Sequence, residues 1–239
     1  SLAKKQHMMK GGKQLLFAEF YDKIYLSLIY ADRWKQLFQG LGTTAKITLG
    51  ALAVGIVLGI LLSLMKVSNN RLLRMIADIY LTVIRGTPMV VQLLIMWYFV
   101  LVTMQNKVLA AIIAFGINSG AYVAEIIRGG ILAVDYGQTE AGRSLGLNYM
   151  QNMRYIVLPQ AFKNALPPLG NELITLFKET AIVGYIALKD LTRVADTIRS
   201  ATYSPVALFT AALMYLMVVL ILTQLLAMFE RRLRASDKR

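Results

Sequence analysis

At 239 residues, with 57% hydrophobic and only 16% charged positions and a mean hydropathy of +0.56, the chain is too apolar for an ordinary soluble domain and reads as one membrane domain. Its formal charge of +13, from 26 Lys+Arg against 13 Asp+Glu, does not call for nucleic acid, because the basic residues of a membrane chain collect in its cytoplasmic loops. The absence of cysteine excludes disulfides, thiolate metal sites and Cys nucleophiles, and a lone His7 excludes both a histidine metal site and a Ser-His-Asp triad.

In chain order, residues 1–7 precede Met8-Met9 and are expected to be an appended remnant. No signal peptide is expected, since the first long apolar stretch begins only near position 47. Within residues 14–37, Phe17, Phe20, Tyr21, Ile24, Leu28 and Ile29 recur at helical spacing opposite Glu19, Asp22 and Lys23. That pattern predicts an amphipathic interfacial helix. Residues 1–40 are therefore taken as a basic segment with this helix, 41–235 as the membrane domain and 236–239 as a basic tail.

A bilayer core of roughly 30 Å needs about 20 apolar residues per helix. Uncharged runs of 19, 21, 17 and 24 residues cover Ile47–Met65, Gly86–Asn106, Val108–Ala124 and Val206–Phe229. A fifth stretch, Asn164–Leu188, has the length but carries Glu172, Lys178 and Glu179. It is read as a span whose charges face protein or water. The expected class is an all-α membrane protein of about five transmembrane helices.

Arg128–Lys163 is the longest polar connection and should be cytoplasmic. Lys66, Arg71 and Arg74 after the first span, four basic residues in that loop, and Arg231, Arg232, Arg234, Lys238 and Arg239 in the tail lie on one side of a five-span chain. This places the C-terminus inside. The eight Lys/Arg among the first 46 residues argue the other way; the internal loops agree with each other and are followed.

Within the long loop, Glu140-Ala141-Gly142, Gly146, Ile156 and Leu158-Pro159 match the pattern EAA-x3-G-x9-I-x-LP, with Gly142 replacing a second Ala. This resembles the coupling loop of ATP-binding-cassette (ABC) importer permeases of type I. The segments Arg85-Gly86-Thr87-Pro88 with Gln92, Asn118-Ser119-Gly120-Ala121-Tyr122-Val123-Ala124-Glu125, Gly170-Asn171-Glu172 and Lys178-Glu179-Thr180 are similar to the polar amino-acid uptake branch, over roughly residues 40–235. Ala181 stands where that branch commonly shows Ser.

The resemblance implies a multi-pass permease subunit of the bacterial plasma (inner) membrane that takes up a polar amino acid, a basic one among the candidates, by alternating access. It implies a cytoplasmic coupling helix between the third and fourth spans and a second permease, a homodimer in the simplest case. It also implies an extracytoplasmic substrate-binding protein and a separate ATP-binding subunit holding ATP and Mg. The chain itself would carry no cofactor and is not an enzyme, in keeping with the lack of a G-x4-G-K-[ST] phosphate loop.

Glu140, Ala141, Gly142 and Gly146 are then the expected ATPase-coupling residues. For substrate, polar groups inside spans are the candidates: Glu172, Asn171, Asn118, Gln92 and Thr87. Glu172 and Glu179 share one helix face, and Asn171, Thr175 and Lys178 an adjacent one. A salt-bridge network of Lys178 with Glu172 or Glu179 is the structural alternative for these charges, and interhelical hydrogen bonding is the alternative for Gln92 and Asn118. Thr87 is expected to cap the helix that Pro88 opens. A small channel or ion-coupled carrier is the competing class, but it has no need of a docking helix.

Overall fold

The computed structural model describes residues 19–236. The basic cluster Lys4–Lys13, residues 1–7, expected above to be a remnant, and the end of the tail lie outside these residues. From 19 onward a helical segment runs to Asp32, where Ala31 (φ 53°) and Asp32 (φ 54°) adopt the left-handed conformation and break it. The stretch 14–37 is thus not one helix, and Arg33–Leu37 already belong to the next. Leu28 of the segment packs on a cluster of Leu37, Leu191, Val194 and Ile198.

Helix α1, Arg33–Val67, is 35 residues long and begins well ahead of the expected Ile47. At 1.5 Å per residue it is roughly 52 Å long. Its partner is α4, Lys107–Leu132, which runs parallel to it. Both present small residues every fourth position: Ala51, Gly55 and Gly59 on α1, Gly116, Gly120 and Ala124 on α4. The spacing lets the backbones meet. A Cβ on Gly59 would stand 2.5 Å from Val123 Cγ1, and one on Gly116 2.6 Å from Val54 Cβ. In lipid, where burial of apolar surface drives little helix association, such close packing is the main attraction. Ser63 Oγ adds a hydrogen bond to the Ala124 carbonyl at 3.0 Å.

The second expected span, Gly86–Asn106, is not continuous. An amphipathic helix α2, Arg71–Gly86, with only Ala77 and Leu81 buried, meets α3, Met89–Ile95, at 108°. Pro88 is the cause: the residue before a proline is pushed out of the helical region, and Thr87 sits at φ −119°, ψ 144°. A π turn, Met96–Val100, extends α3. Counted together, the bent pair α2–α3 has the length and apolar content of a fourth span beside α1, α4 and the helix Val206–Ser236.

The expected loop after the third span is itself largely helical, comprising α5 (Tyr136–Ser144), α6 (Tyr149–Asn152) and a π turn, Met153–Val157. Helix α7, Leu158–Glu179, then returns antiparallel to α4 and continues as a 3-10 turn, Thr180–Ile186. Its lower part packs where a Cβ on Gly130 would lie 2.7 Å from the Ala161 carbonyl. A short amphipathic helix α8, Leu191–Thr202, is capped by the buried Asp190, whose carboxylate accepts from the backbone N–H of Thr192 and Arg193 at 3.1 and 2.9 Å. Burial pushes that carboxyl above the usual range, against the pull of these bonds. Helix α9, Val206–Ser236, completes the bundle.

Two contacts fix the ends of α1. Gly40 abuts Asp190 and Leu191 at the start of α8, and Ser63 bonds Ala124 near the foot of α4. Those levels are about 35 Å apart along the helix, more than the hydrocarbon thickness. Helix α8 and the α5–α6 loop therefore lie at opposite ends of the bundle.

Candidate functional site

At the foot of the bundle, α5 projects as a short helix. Asp135 opens it, its side chain accepting from the Gly137 N–H at 2.6 Å. At its other end Gly146, at φ +82°, turns the chain. The Leu147 N–H reaches the Gly142 carbonyl at 3.1 Å and the Gly146 N–H the Arg143 carbonyl at 2.9 Å, the paired bonds of a Schellman end. The glycine of the pattern is required by the backbone at this point.

Glu140 and Ala141 are exposed. Gly142 is not. It is buried against this chain's own Asn152 and Ile156, so closely that a Cβ would strike the Asn152 carboxamide and stand 2.8 Å from Ile156 Cδ1. The small residue seats α5 on α6 and the following π turn, an internal packing part that the spacing alone did not reveal. Asn152, which the sequence did not single out, donates through Nδ2 to the Thr139 carbonyl at 3.1 Å. An Asn148–Gln151 capping box starts α6 beside it. The polar residue between Gln151 and the Ile156 of the pattern was the available signal.

Deeper in the bundle, three of the expected substrate residues form one chain of hydrogen bonds. Gln92 Nε2 donates to Thr87 Oγ1 at 2.6 Å and to the Ile84 carbonyl at 2.6 Å, while Gln92 Oε1 accepts from Asn118 Nδ2 at 3.0 Å. Thr87 Oγ1 itself donates back to the Val83 carbonyl at 2.9 Å. The expected cap is therefore corrected: α3 starts after Pro88 with no side-chain cap, and Thr87 finishes α2. Asn118 is only 4% exposed. Together the three residues brace the α2–α3 bend against α4.

Glu172 is brought to the neighbouring position on α4, where Ser119 Oγ donates to its Oε1 at 2.7 Å. Ser119 lies level with Gly55, near the middle of α1. Asn171, Thr175, Lys178 and Glu179 are exposed along α7. Among the described residues no ion pair joins Lys178 to Glu172 or Glu179. The polar face is open in the single chain.

Comparison with known proteins decides what this architecture is. Residues 55–235 match the family described as the binding-protein-dependent transport system inner membrane component. The chain belongs to that family. The arginine transport system permease protein ArtQ of Bacillus subtilis (strain 168) is 46% identical over 205 residues, covering 84% of this chain and 94% of the relative. The glutamine transport system permease protein GlnP of Escherichia coli (strain K12) is 36% identical over 204 residues, covering 83% and 93%. A crystal structure of an amino acid ABC transporter with histidines superposes at a TM-score of 0.79 with 45% identity, over 83% of this chain and 94% of that one. The inward-facing methionine ABC transporter MetNI, at 20% identity and a TM-score of 0.73 over 85% and 98%, shares the fold.

Within this family the chain is a permease subunit of an amino-acid ABC importer, an all-α multi-pass protein of the inner membrane, and the expected type I fold is borne out. ATP-binding and substrate-binding partners follow from the family. The residues of the EAA-type pattern lie on α5 and the turn after it (Glu140 to Gly146), in the π turn (Ile156) and at the start of α7 (Leu158-Pro159).

Proposed function

We propose that the chain is one of a pair of permeases that import a polar amino acid, a basic one preferred, by ATP-driven alternating access. ATP and Mg would be held by a separate ATP-binding subunit docked on Glu140 and Ala141, with Gly142 and Gly146 giving α5 its shape. An extracytoplasmic binding protein would deliver the amino acid at the α8 end. The single observation that carries this reading is the open polar face of α7. Asn171, Thr175, Lys178 and Glu179 stand exposed beside a Glu172 near mid-depth. On insertion scales a Lys or acidic residue at the centre of a helix costs about 2.5–3.5 kcal/mol in hydrocarbon, so lipid is a poor cover for this face. A second permease enclosing a watered path is a good one. The names of the relatives, one for arginine and one for glutamine, and the structure with histidines support a polar cargo.

Glu172 and Asn171 are assigned to the cargo, the carboxylate to an ammonium or cationic side chain and the carboxamide to orientation. Gln92, Asn118 and Thr87 shape the neighbouring wall. The test is uptake of arginine, histidine and glutamine into vesicles containing permease, ATP-binding subunit and binding protein. Glu172→Gln keeps the bond from Ser119 and removes the charge, so uptake of the cationic substrate is expected to fall more than that of glutamine. Equal losses that follow a lower melting temperature would make Glu172 a packing residue.

Orientation is tested separately. The chain has no cysteine, so Asp196→Cys on α8 and Arg143→Cys on α5 can each be labelled with an impermeant thiol reagent. Labelling from outside is expected for the first alone; equal labelling of both would overturn the arrangement.

A further inference from the structure

At the foot of the bundle one carboxylate collects cations from three helices. Glu125 of α4 is 20% exposed. Its Oε2 accepts from Arg128 Nε and Nη2 at 3.1 and 2.6 Å, its Oε1 lies 3.5 Å from Lys66 Nζ of α1, and its Oε2 lies 4.0 Å from Arg85 Nη1 of α2. Lys66 is shared with Asp78 of α2 at 2.9 Å, and the Arg85 guanidinium sits 5.6 Å from the centre of the Tyr122 ring. Among the described residues, Lys66, Arg85 and Arg128 thus share two carboxylates, Asp78 and Glu125, and compete for Glu125.

The position of this cluster matters as much as its charge. Glu125 precedes the end of α4 by two turns, and α5 follows almost at once. Arg85 is in the last turn of α2, immediately before the 108° bend. The bent pair α2–α3 is held to α4 by two kinds of contact. One is neutral and directional, the amide bond Gln92–Asn118 at 3.0 Å and the bond from the Tyr80 hydroxyl to the Ile117 carbonyl at 2.7 Å, both part-buried. The other is the looser contact of Arg85, 46% exposed, with Glu125 and the Tyr122 ring. A directional amide bond fails with a small shift, because hydrogen bonds weaken steeply with misalignment, whereas a charge contact decays only slowly with distance. The neutral bonds act as a pivot and the charged contact of Arg85 as a tether.

We infer that Glu125 is a positioning residue of the transport cycle, passing displacement of the coupling helix through Arg85 to the α2–α3 bend. This rests on the importer reading above. The experiment uses the reconstituted complex of permease, ATP-binding subunit and loaded binding protein, with Glu125→Gln, Arg85→Gln and Glu125→Asp. It reads basal ATPase, stimulated ATPase, amino acid imported per ATP, and melting temperature. In Glu125→Gln and Arg85→Gln the ratio of stimulated to basal ATPase and the import per ATP are expected to fall by about 5-fold or more, the lower range of typical site-to-site coupling. Glu125→Asp, which keeps the charge, is expected to recover most of both. Arg85→Gln is exposed and should melt with wild type, so its loss of coupling would not be a folding defect. Wild-type transport with unchanged ratios in both Gln variants would overturn the inference alone, as would basal and stimulated rates falling together with the melting temperature. Absence of stimulated uptake in wild type would overturn the importer reading and the inference with it.

Discussion

Gly59→Leu is expected to prevent formation of a stable permease, and Gly59→Ala to lower its melting temperature in detergent by several degrees. The first added carbon at this position falls 2.5 Å from Val123 Cγ1, 2.7 Å from Val123 Cβ and 3.0 Å from the Ala124 backbone nitrogen. None of these can step aside: valine is stiff about its first torsion, and the nitrogen is part of α4. The helices must separate. Overpacking of this kind costs about 1–3 kcal/mol, and separation also threatens the Ser63–Ala124 bond one turn further on, worth about 1 kcal/mol. Gly42 on the same helix is the control, because a Cβ there meets nothing within 4 Å. Gly42→Ala should be neutral or stabilising, since alanine is favoured over glycine in a helix interior by about 1 kcal/mol. Thermal melts and gel-filtration profiles of the variants check this; equal melting of Gly59→Ala and Gly42→Ala would show that the small-residue seam does not hold α1 to α4.

The crossings were legible because hydrocarbon selects uncharged runs, and Ile47–Met65, Val108–Ala124 and Val206–Phe229 all lie inside long helices. Their limits were not legible from the same rule. Counting stops at a charge, but a helix continues through charges that find partners, as α4 does through Glu125 and Arg128, bonded to each other at 2.6 Å. Helix α2 was hidden for the same reason: Arg71, Arg74, Asp78 and Arg85 break its apolar pattern, although Lys66 and Glu125 wait to pair with two of them. The helix start at Thr87–Pro88 was visible, yet the partner of Thr87 was not, since it depends on Gln92 folding back across the turn. At the candidate site, Gln92 and Asn118 were found as polar residues within apolar runs, while their bond to each other needed the packing of α3 on α4. Gly142 shows the limit of a motif read alone. Its spacing was right, but whether a small residue admits a partner or seats its own chain is decided by Asn152 and Ile156.

Glu140→Lys should abolish stimulation of the ATP-binding subunit while leaving the permease folded, and Gly146→Val should do the same by a different route. Glu140 is exposed on α5 and makes no side-chain bond among the described residues; its backbone carbonyl accepts from Ser144 Oγ at 3.0 Å. Reversing its charge costs the permease little and places a cation where a carboxylate would meet a basic partner, a like-charge clash that weakens docking. Gly146 acts through shape. Holding an L-residue in the left-handed region costs roughly 1–2 kcal/mol, and a β-branched valine is worse placed than most. The two bonds from Gly146 and Leu147 that close α5 would be lost, and Glu140 would no longer be presented at a fixed angle. Co-elution with the ATP-binding subunit and ATPase stimulation by loaded binding protein distinguish the routes. Glu140→Lys should be rescued by an acidic substitution of its basic partner, because the helix that carries it is intact. Gly146→Val should respond to no charge change on the partner, and Gly146→Asn, which tolerates the left-handed conformation better, should restore part of the stimulation. Full stimulation in both Glu140→Lys and Gly146→Val would remove α5 from the docking surface.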